Sequence, residues 1–215
     1  MAGVDRLNIA QVDELESIPV GERGLRWRPI RSRFGIRAFG TNAYTADVGD
    51  EIVEDHTEAT NQHEEMYVVV QGHAAFTIDG DRVDAPAGTI VHLPDPNVRR
   101  SAVAEEPGTA ILAVGAKRGE PFQPSGWELG FRAAQMEPRE AVAYVEEHMH
   151  EYPESAATYY NLACFRALSG DRDGAVAALE RAAELDADAV RKWGAQDSDL
   201  DRIRDEQRVR ELLET

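Results

Sequence analysis

The residues of this chain best suited to do chemistry fall between positions 56 and 100. His56 and Glu58 are two apart, a spacing that sets both side chains on one face of a strand. Glu65 follows, with His63 just before it and His92 later in the chain. Imidazole nitrogens and carboxylate oxygens make a mixed donor set, which suits Fe, Mn, Ni or Zn better than a soft, thiophilic ion. One expectation is therefore a single divalent metal held by His56, Glu58, Glu65 and either His63 or His92. A second arrangement needs no metal. A buried, unpaired Glu65 is costly, and Arg99 or Arg100 would supply its basic partner. His63, Glu65, Tyr67, His92 and Arg99 would then line a ligand pocket. Other chemistry has no foothold: there is no phosphate-binding glycine loop, no Gly-x-Ser-x-Gly elbow and no paired-cysteine zinc signature.

Short strands must position these groups. The runs YVVV, AAFTI, GTIVHL and TAILAV are separated by Gly, Asp-Gly and Pro, the pattern of a sandwich or barrel. Ala74, Phe76 and Ile78 alternate with Ala75 and Thr77, the period of a half-buried strand. Asp79-Gly80-Asp81 supplies a tight turn, so its neighbours are expected as hairpin partners. Residues 1–39 read as an N-terminal strap with edge strands, and 40–118 as the strand domain. Residues 119–137, punctuated by Gly119, Pro121, Pro124 and Gly126, read as a linker in which Trp127 and Phe131 pack against a domain. Residues 138–215 then turn Ala-, Glu- and Leu-rich with helical spacing. Pro138 sits where a helix starts, Ala141, Val142, Val145 and Met149 mark one face, and Pro153 ends that helix.

Two resemblances follow from these stretches. In HEEMYVVVQG, residues 63–72, Glu65 and Gly72 have six residues between them; in PAGTIVHLPDP, residues 86–96, Gly88 and Pro94 have five. Both segments resemble the paired motifs of the cupin (RmlC-like) superfamily. That resemblance implies an antiparallel β-barrel of jelly-roll type, often with a metal held by three His and one Glu. This chain departs from that cage. The His-x-His slots fall on Ala59 and Asn61, the third His slot on Arg99 and a Gly slot on Pro96. The second stretch, SAATYYNLACFRALSGDRDGAVAALERAAELDAD, resembles one tetratricopeptide repeat, with Tyr159, Leu162, Ala163, Gly170, Ala175, Leu179 and Ala182 in its size and turn positions. Tyr159 and Trp193 stand 34 residues apart, the repeat period. The resemblance implies an array of helical hairpins: the closing helix of one unit, one full unit, and a divergent last unit near residues 190–214. The expected fold class is thus multidomain β + α, a cupin-like barrel followed by a tetratricopeptide-like region.

Composition bounds the rest. The net charge is −17, with 21 acids against 13 basic residues in positions 1–135 and 19 against 10 after them. A nucleic-acid surface needs a concentrated basic patch. The nearest candidate, the arginines at 23, 26, 28, 31, 33 and 37, reads as a solvated strand edge or a set paired with the chain's own acids. No nucleic-acid and no membrane partner is expected, and a polar, acidic N-terminus points to a cytoplasmic protein. Cys164 is the single cysteine, so no intrachain disulfide forms; it is expected to pack. A homodimer is expected, since pairing covers sheet edges. Two functions compete. One is a small-molecule-binding or scaffold protein whose helical region meets a protein partner. The other is a metal-dependent oxygenase, isomerase or lyase using the non-standard His/Glu site.

Overall fold

The computed structural model describes residues 9–152 and 154–214. These fall into two compact units, divided between Gln123 and Pro124.

The first unit holds strands β1 (Ile18–Pro19), β2 (Arg26–Arg28), β3 (Gly40–Ala46), β4 (Glu51–His56), β5 (His63–Gln71), β6 (His73–Ile78), β7 (Asp81–Pro86), β8 (Ile90–Leu93), β9 (Arg100–Ala104) and β10 (Thr109–Lys117), with a short α-helix, α1 (Ile30–Phe34), and a 3-10 turn at Val12–Glu14. They form a six-stranded sheet, β1-β2-β3-β10-β5-β8, and a four-stranded sheet, β4-β9-β6-β7. Every pairing is antiparallel. Of the N-terminal strap, residues 1–8 lie outside the described residues; β1 and β2 extend the larger sheet beside β3.

The expected single closed barrel is not what the ladders form: among the described residues they leave two sheets with separate edges. Local chemistry contributes. β8 stops at Leu93, and Pro94 and Pro96, which lack amide hydrogens, interrupt the chain before β9. The pairing of β4 with β9 also shifts register twice. The core lies between the sheets, where Ile52, Tyr67, Val69, Phe76, Leu93 and Ile111 meet. Tyr67 and Phe76 bring their ring centroids to 5.7 Å. The hairpin of β6 and β7 turns through Asp79 and Gly80, both at positive φ, as the sequence predicts.

The second unit is helical: α2 (Trp127–Ala133), α3 (Pro138–His148), α4 (Ala156–Ser169), α5 (Arg172–Gly194) and α6 (Gln207–Glu214). Residues 127–133, read from the sequence as part of a linker, are α2. The glycine and prolines that suggested a linker at 119–124 precede it, whereas Leu129 and Ala133 join the helical core and Trp127 and Phe131 meet one turn apart. Pro138 opens α3 at its first turn. The residue expected to end that stretch, Pro153, lies outside the described residues. Ser155 caps α4 by accepting the Thr158 amide hydrogen, and Gly170 ends it at φ +91°, where a side chain would be strained.

Asp171 then caps α5. The helix breaks at Asp186, whose carboxylate accepts the Ala189 amide hydrogen at 2.9 Å and so caps a fresh segment. Ala163, Ala175, Leu179 and Ala182 are fully buried, and the small residues let α4 and α5 approach closely. Cys164 is buried too, with its Sγ 3.6 Å from Asp197 Oδ2. Burial and that acid push its thiol pKa up, the opposite of what a nucleophile needs. Among the described residues no helix is long and apolar enough to cross a membrane.

Candidate functional site

Alternation along β5 points Glu65, Tyr67 and Val69 toward the core side of the larger sheet. On the smaller sheet β9 buries Arg100, Ala102 and Ala104 and turns Ser101 and Val103 the other way. Register places His56, at the end of β4, beside Arg100, with Ile78 of β6 on the opposite flank. Glu58 follows β4, and its backbone amide donates to the Pro96 carbonyl at 2.9 Å. That bond ties the end of β4 to the loop before β9. Gly115, the β10 partner of Glu65, leaves room for it: a Cβ there would stand 3.1 Å from Glu65 Cγ.

Ionisable groups from both sheets and from the loop after β4 therefore converge. His56 Nε2 lies 3.5 Å from Glu58 Oε1 and 3.9 Å from Glu65 Oε2. The other nitrogen, Nδ1, is 2.7 Å from the Glu54 carbonyl oxygen, so it carries a hydrogen and donates. Glu65 Oε2 also accepts the Tyr67 hydroxyl hydrogen at 2.6 Å and lies 3.6 Å from Arg100 Nε. Asn61 donates to Glu58 Oε2 at 2.9 Å, and His63 Nδ1 is 3.3 Å from the same oxygen. His56 is one-third exposed and Glu58 and Glu65 only slightly, whereas the Arg100 side chain has no exposed surface.

The two carboxylates are driven apart in acidity. Burial pushes Glu65 up, and the neighbouring Glu58 charge adds to this against the opposing effects of Tyr67, His56 and Arg100. Burial acts on Glu58 in the same direction, but bonds from His56 and Asn61 and the charge of His63 outweigh it, so Glu58 is lowered. Burial disfavours the His56 cation, yet Glu58, the Glu54 carbonyl and Glu65 together raise its pKa. His63 is lowered, by burial and then by Lys117 against the pull of Glu58. Burial and Glu65 push Tyr67 well up, so it stays a phenol and a donor. Two neighbouring carboxyl groups whose pKa values are moved in opposite directions can bind polar groups and exchange protons with them.

The sequence-predicted residues divide accordingly. His56, Glu58, Glu65, His63 and Tyr67 are brought together. His92 is not: in β8, Val91 and Leu93 face inward and His92 faces out, half exposed, with Nε2 2.7 Å from Glu64 Oε1. Arg99 is not either. It stands just before β9, largely exposed, and forks onto Asp55 with two bonds of 2.7 Å. The pleat gives the inward place to its neighbour Arg100. Asn61, marked in the sequence only as a missing histidine, orients Glu58 instead. Gly115 was missed; its role is visible only once register pairs it with Glu65.

The donor atoms of His56, Glu58 and Glu65 all lie within 4.8 Å of one another, close enough in number and type for three ligands of one ion. The inward place on β9 beside them, however, is held by the buried guanidinium of Arg100, 3.6 Å from Glu65 Oε2. A fixed cation there repels a second one. The cluster does not fit a resident metal of the kind the cupin resemblance implies.

No family model matches the sequence, and no curated protein matches it. Solved structures do. KdgF from a Halomonas species is 20% identical, with 49% of this chain and 91% of that one covered and a TM-score of 0.41. An RmlC-like cupin from Shewanella frigidimarina is 20% identical over 53% of this chain and 94% of its own, with a TM-score of 0.39. A cupin 2 conserved barrel domain protein from Salinispora arenicola is 20% identical over 52% and 89%, with a TM-score of 0.41. Two of these three are named as cupins.

Proposed function

We propose that the sheet unit is a cupin-like small-molecule-binding domain, with its ligand at the open side of the His56–Glu58–Glu65 cluster. The helical unit is a tetratricopeptide-like region that meets a protein partner. One observation carries the first statement: titratable groups from both sheets converge on a partly exposed point, and Glu58 and Glu65 are pushed to opposite sides of ordinary carboxylate acidity. Groups whose only task is packing have no reason to be so arranged, because burying them is costly. Helical order supports the second statement. α4, Gly170 and the first part of α5 make one tight hairpin, and the break at Asp186 starts a further segment carrying Trp193.

The alternative, a metal-dependent cupin-type enzyme, draws on the orientation of His56. Its Nδ1 hydrogen is held by the Glu54 carbonyl and its Nε2 faces the carboxylates, as in metal-ligating histidines. Arg100 weighs against it.

The test is a thermal-shift screen of the full chain against monosaccharides, small carboxylic acids and amino acids. At least one class should raise the melting midpoint of the wild type and leave a Glu58→Gln variant unmoved. A screen in which no compound distinguishes the two proteins overturns the reading.

A further inference from the structure

Arg100 is among the largest fully buried side chains of the molecule, and it is charged. None of its three nitrogens makes a hydrogen bond among the described residues, and its Nε stands 3.6 Å from Glu65 Oε2. A buried guanidinium without hydrogen bonds is costly, and the structure keeps it only because negative charge lies beside it. The carboxylates have the converse problem. Glu58 and Glu65 approach the same imidazole nitrogen, at 3.5 and 3.9 Å, and two partly buried carboxylates so placed repel each other unless a cation compensates them. A divalent metal is one such cation. Here a positive charge is covalently attached to β9, at the position paired with His56.

We infer that the Arg100 guanidinium is a built-in replacement for a bound metal ion: it supplies the positive charge beside Glu65, and it bars a divalent cation from the cluster. Three features of the geometry bear on this. The guanidinium lies against the oxygen of Glu65 that also faces His56, so it competes for the same ligand atom. It cannot withdraw into solvent, since the whole side chain is buried. The remaining donors, His56 Nε2, Glu58 Oε1 and Glu65 Oε2, are already within reach of a common ion. What excludes the metal is then one side chain, and the exclusion should be reversible by substitution. Arg100→His removes the fixed charge and adds a fourth donor, giving a two-histidine, two-carboxylate set suited to Mn, Fe, Ni or Zn. This inference concerns the cluster assigned above to ligand binding, but its outcome is read from metal content and not from the ligand screen, so either can fail without the other.

The experiment compares the full-length wild type, Arg100→Lys, Arg100→Gln and Arg100→His, all without a histidine tag. Each is incubated with Mn²⁺, Fe²⁺, Ni²⁺ or Zn²⁺, dialysed, and measured by elemental analysis and thermal shift. The wild type and Arg100→Lys, which both keep a cation, should retain well under one equivalent and show no metal-dependent shift. Arg100→His should retain about one equivalent of at least one ion, with a raised melting midpoint, and lose it when His56→Ala is added. Arg100→Gln, neutral and of similar length, is the second arm should Arg100→His not fold; it should bind the same ion more weakly than four donors would. Stoichiometric metal on the wild type that disappears in His56→Ala overturns the inference. So does a folded Arg100→His, or in its place a folded Arg100→Gln, that takes up no metal.

Discussion

The two units differ in the charge they bury together. The helical unit packs small and apolar side chains, with Ala133, Ala141, Ala163, Ala167, Ala175, Leu179 and Ala182 at its centre, and it also buries Glu128 on α2 and Thr158 on α4. Several of its polar groups serve helix ends: Ser155, Asp171 and Asp186 each accept a backbone amide hydrogen. The sheet unit brings a fully buried cation, Arg100, and two little-exposed acids together at one place. An apolar core is the cheaper way to hold a fold, because unmatched charges lose hydration that is hard to recover. The contrast sets a convergence of charged groups in the sheets against apolar packing in the helices, and each prediction below presses on that division.

The largest effect is expected where one charge of the buried pair is removed. Glu65→Ala leaves Arg100 without its nearest carboxylate and should cost about 3–5 kcal/mol in urea denaturation. The double variant Glu65→Leu with Arg100→Met replaces both charges by apolar groups and should recover most of that loss. If Glu65→Ala is no worse than an ordinary surface substitution, the sheet unit is not built around this pair.

On the helical side the equivalent change is a cavity. Leu179→Ala, at a position with no exposed surface, should cost about 2–4 kcal/mol, read from the helical signal in circular dichroism. No partner substitution nearby should rescue it as Arg100→Met rescues Glu65→Leu, because no charge is left stranded. A charge-dependent rescue in the helical unit would erase the distinction between the two interiors.

Much of this was legible in the residues, and the failures are specific. Helical packing could be read because Ala163, Gly170, Ala175 and Leu179 must each meet a size or turn requirement at a set distance. The strand unit could be read from alternation and from Asp79-Gly80. His56 and Glu58 could be placed together because two residues along a strand share a face. Counting failed across the loop between Leu93 and Arg100. Pro94 and Pro96 break the ladder there, so the pleat of β8 does not carry into β9 and a count from Pro94 lands on Arg99, one residue from the inward position. His92 was misplaced for a simpler reason: an apolar strand has two faces, and the sequence of β8 does not say which face the core takes when both neighbours of His92 are aliphatic. Gly115 gave no signal at all, since its use is to be absent beside Glu65.

A smaller effect should appear in the pH profile, and it separates the units again. His56 has a folded pKa above the ordinary 6.5, so its contribution is fully present below 6.5 and is lost as pH rises through the raised value. Glu58 is lowered from 4.5, so its contribution is present above 4.5 and is lost as pH falls through the lowered value. Glu65 is raised, so the stability its neutral form confers fades as pH rises, in the same direction as His56. The His56–Glu58 contact should therefore stabilise most between about pH 4.5 and 6.5. His56→Gln should flatten the decline above that window when sheet-unit stability is measured against pH. An unchanged profile would mean that His56 is not held by these carboxylates.

The smallest effect is expected at the two residues that the pleat turns away from the cluster. His92→Ala removes a contact to Glu64, and Arg99→Ala a forked contact to Asp55, both at exposed positions. Exposed ion pairs contribute little, so each variant should unfold close to the wild type in urea. Neither should alter metal content, and neither should change the thermal shift of any compound that Glu58→Gln affects. The value of this test lies in its asymmetry with Arg100. Arg99 and Arg100 are adjacent and of one type, so their side-chain chemistry is the same and only the face of the strand differs. Should Arg99→Ala perturb ligand or metal behaviour while Arg100→Gln does not, the inward face of β9 has been assigned to the wrong arginine, and the charge balance drawn around Glu65 falls with it.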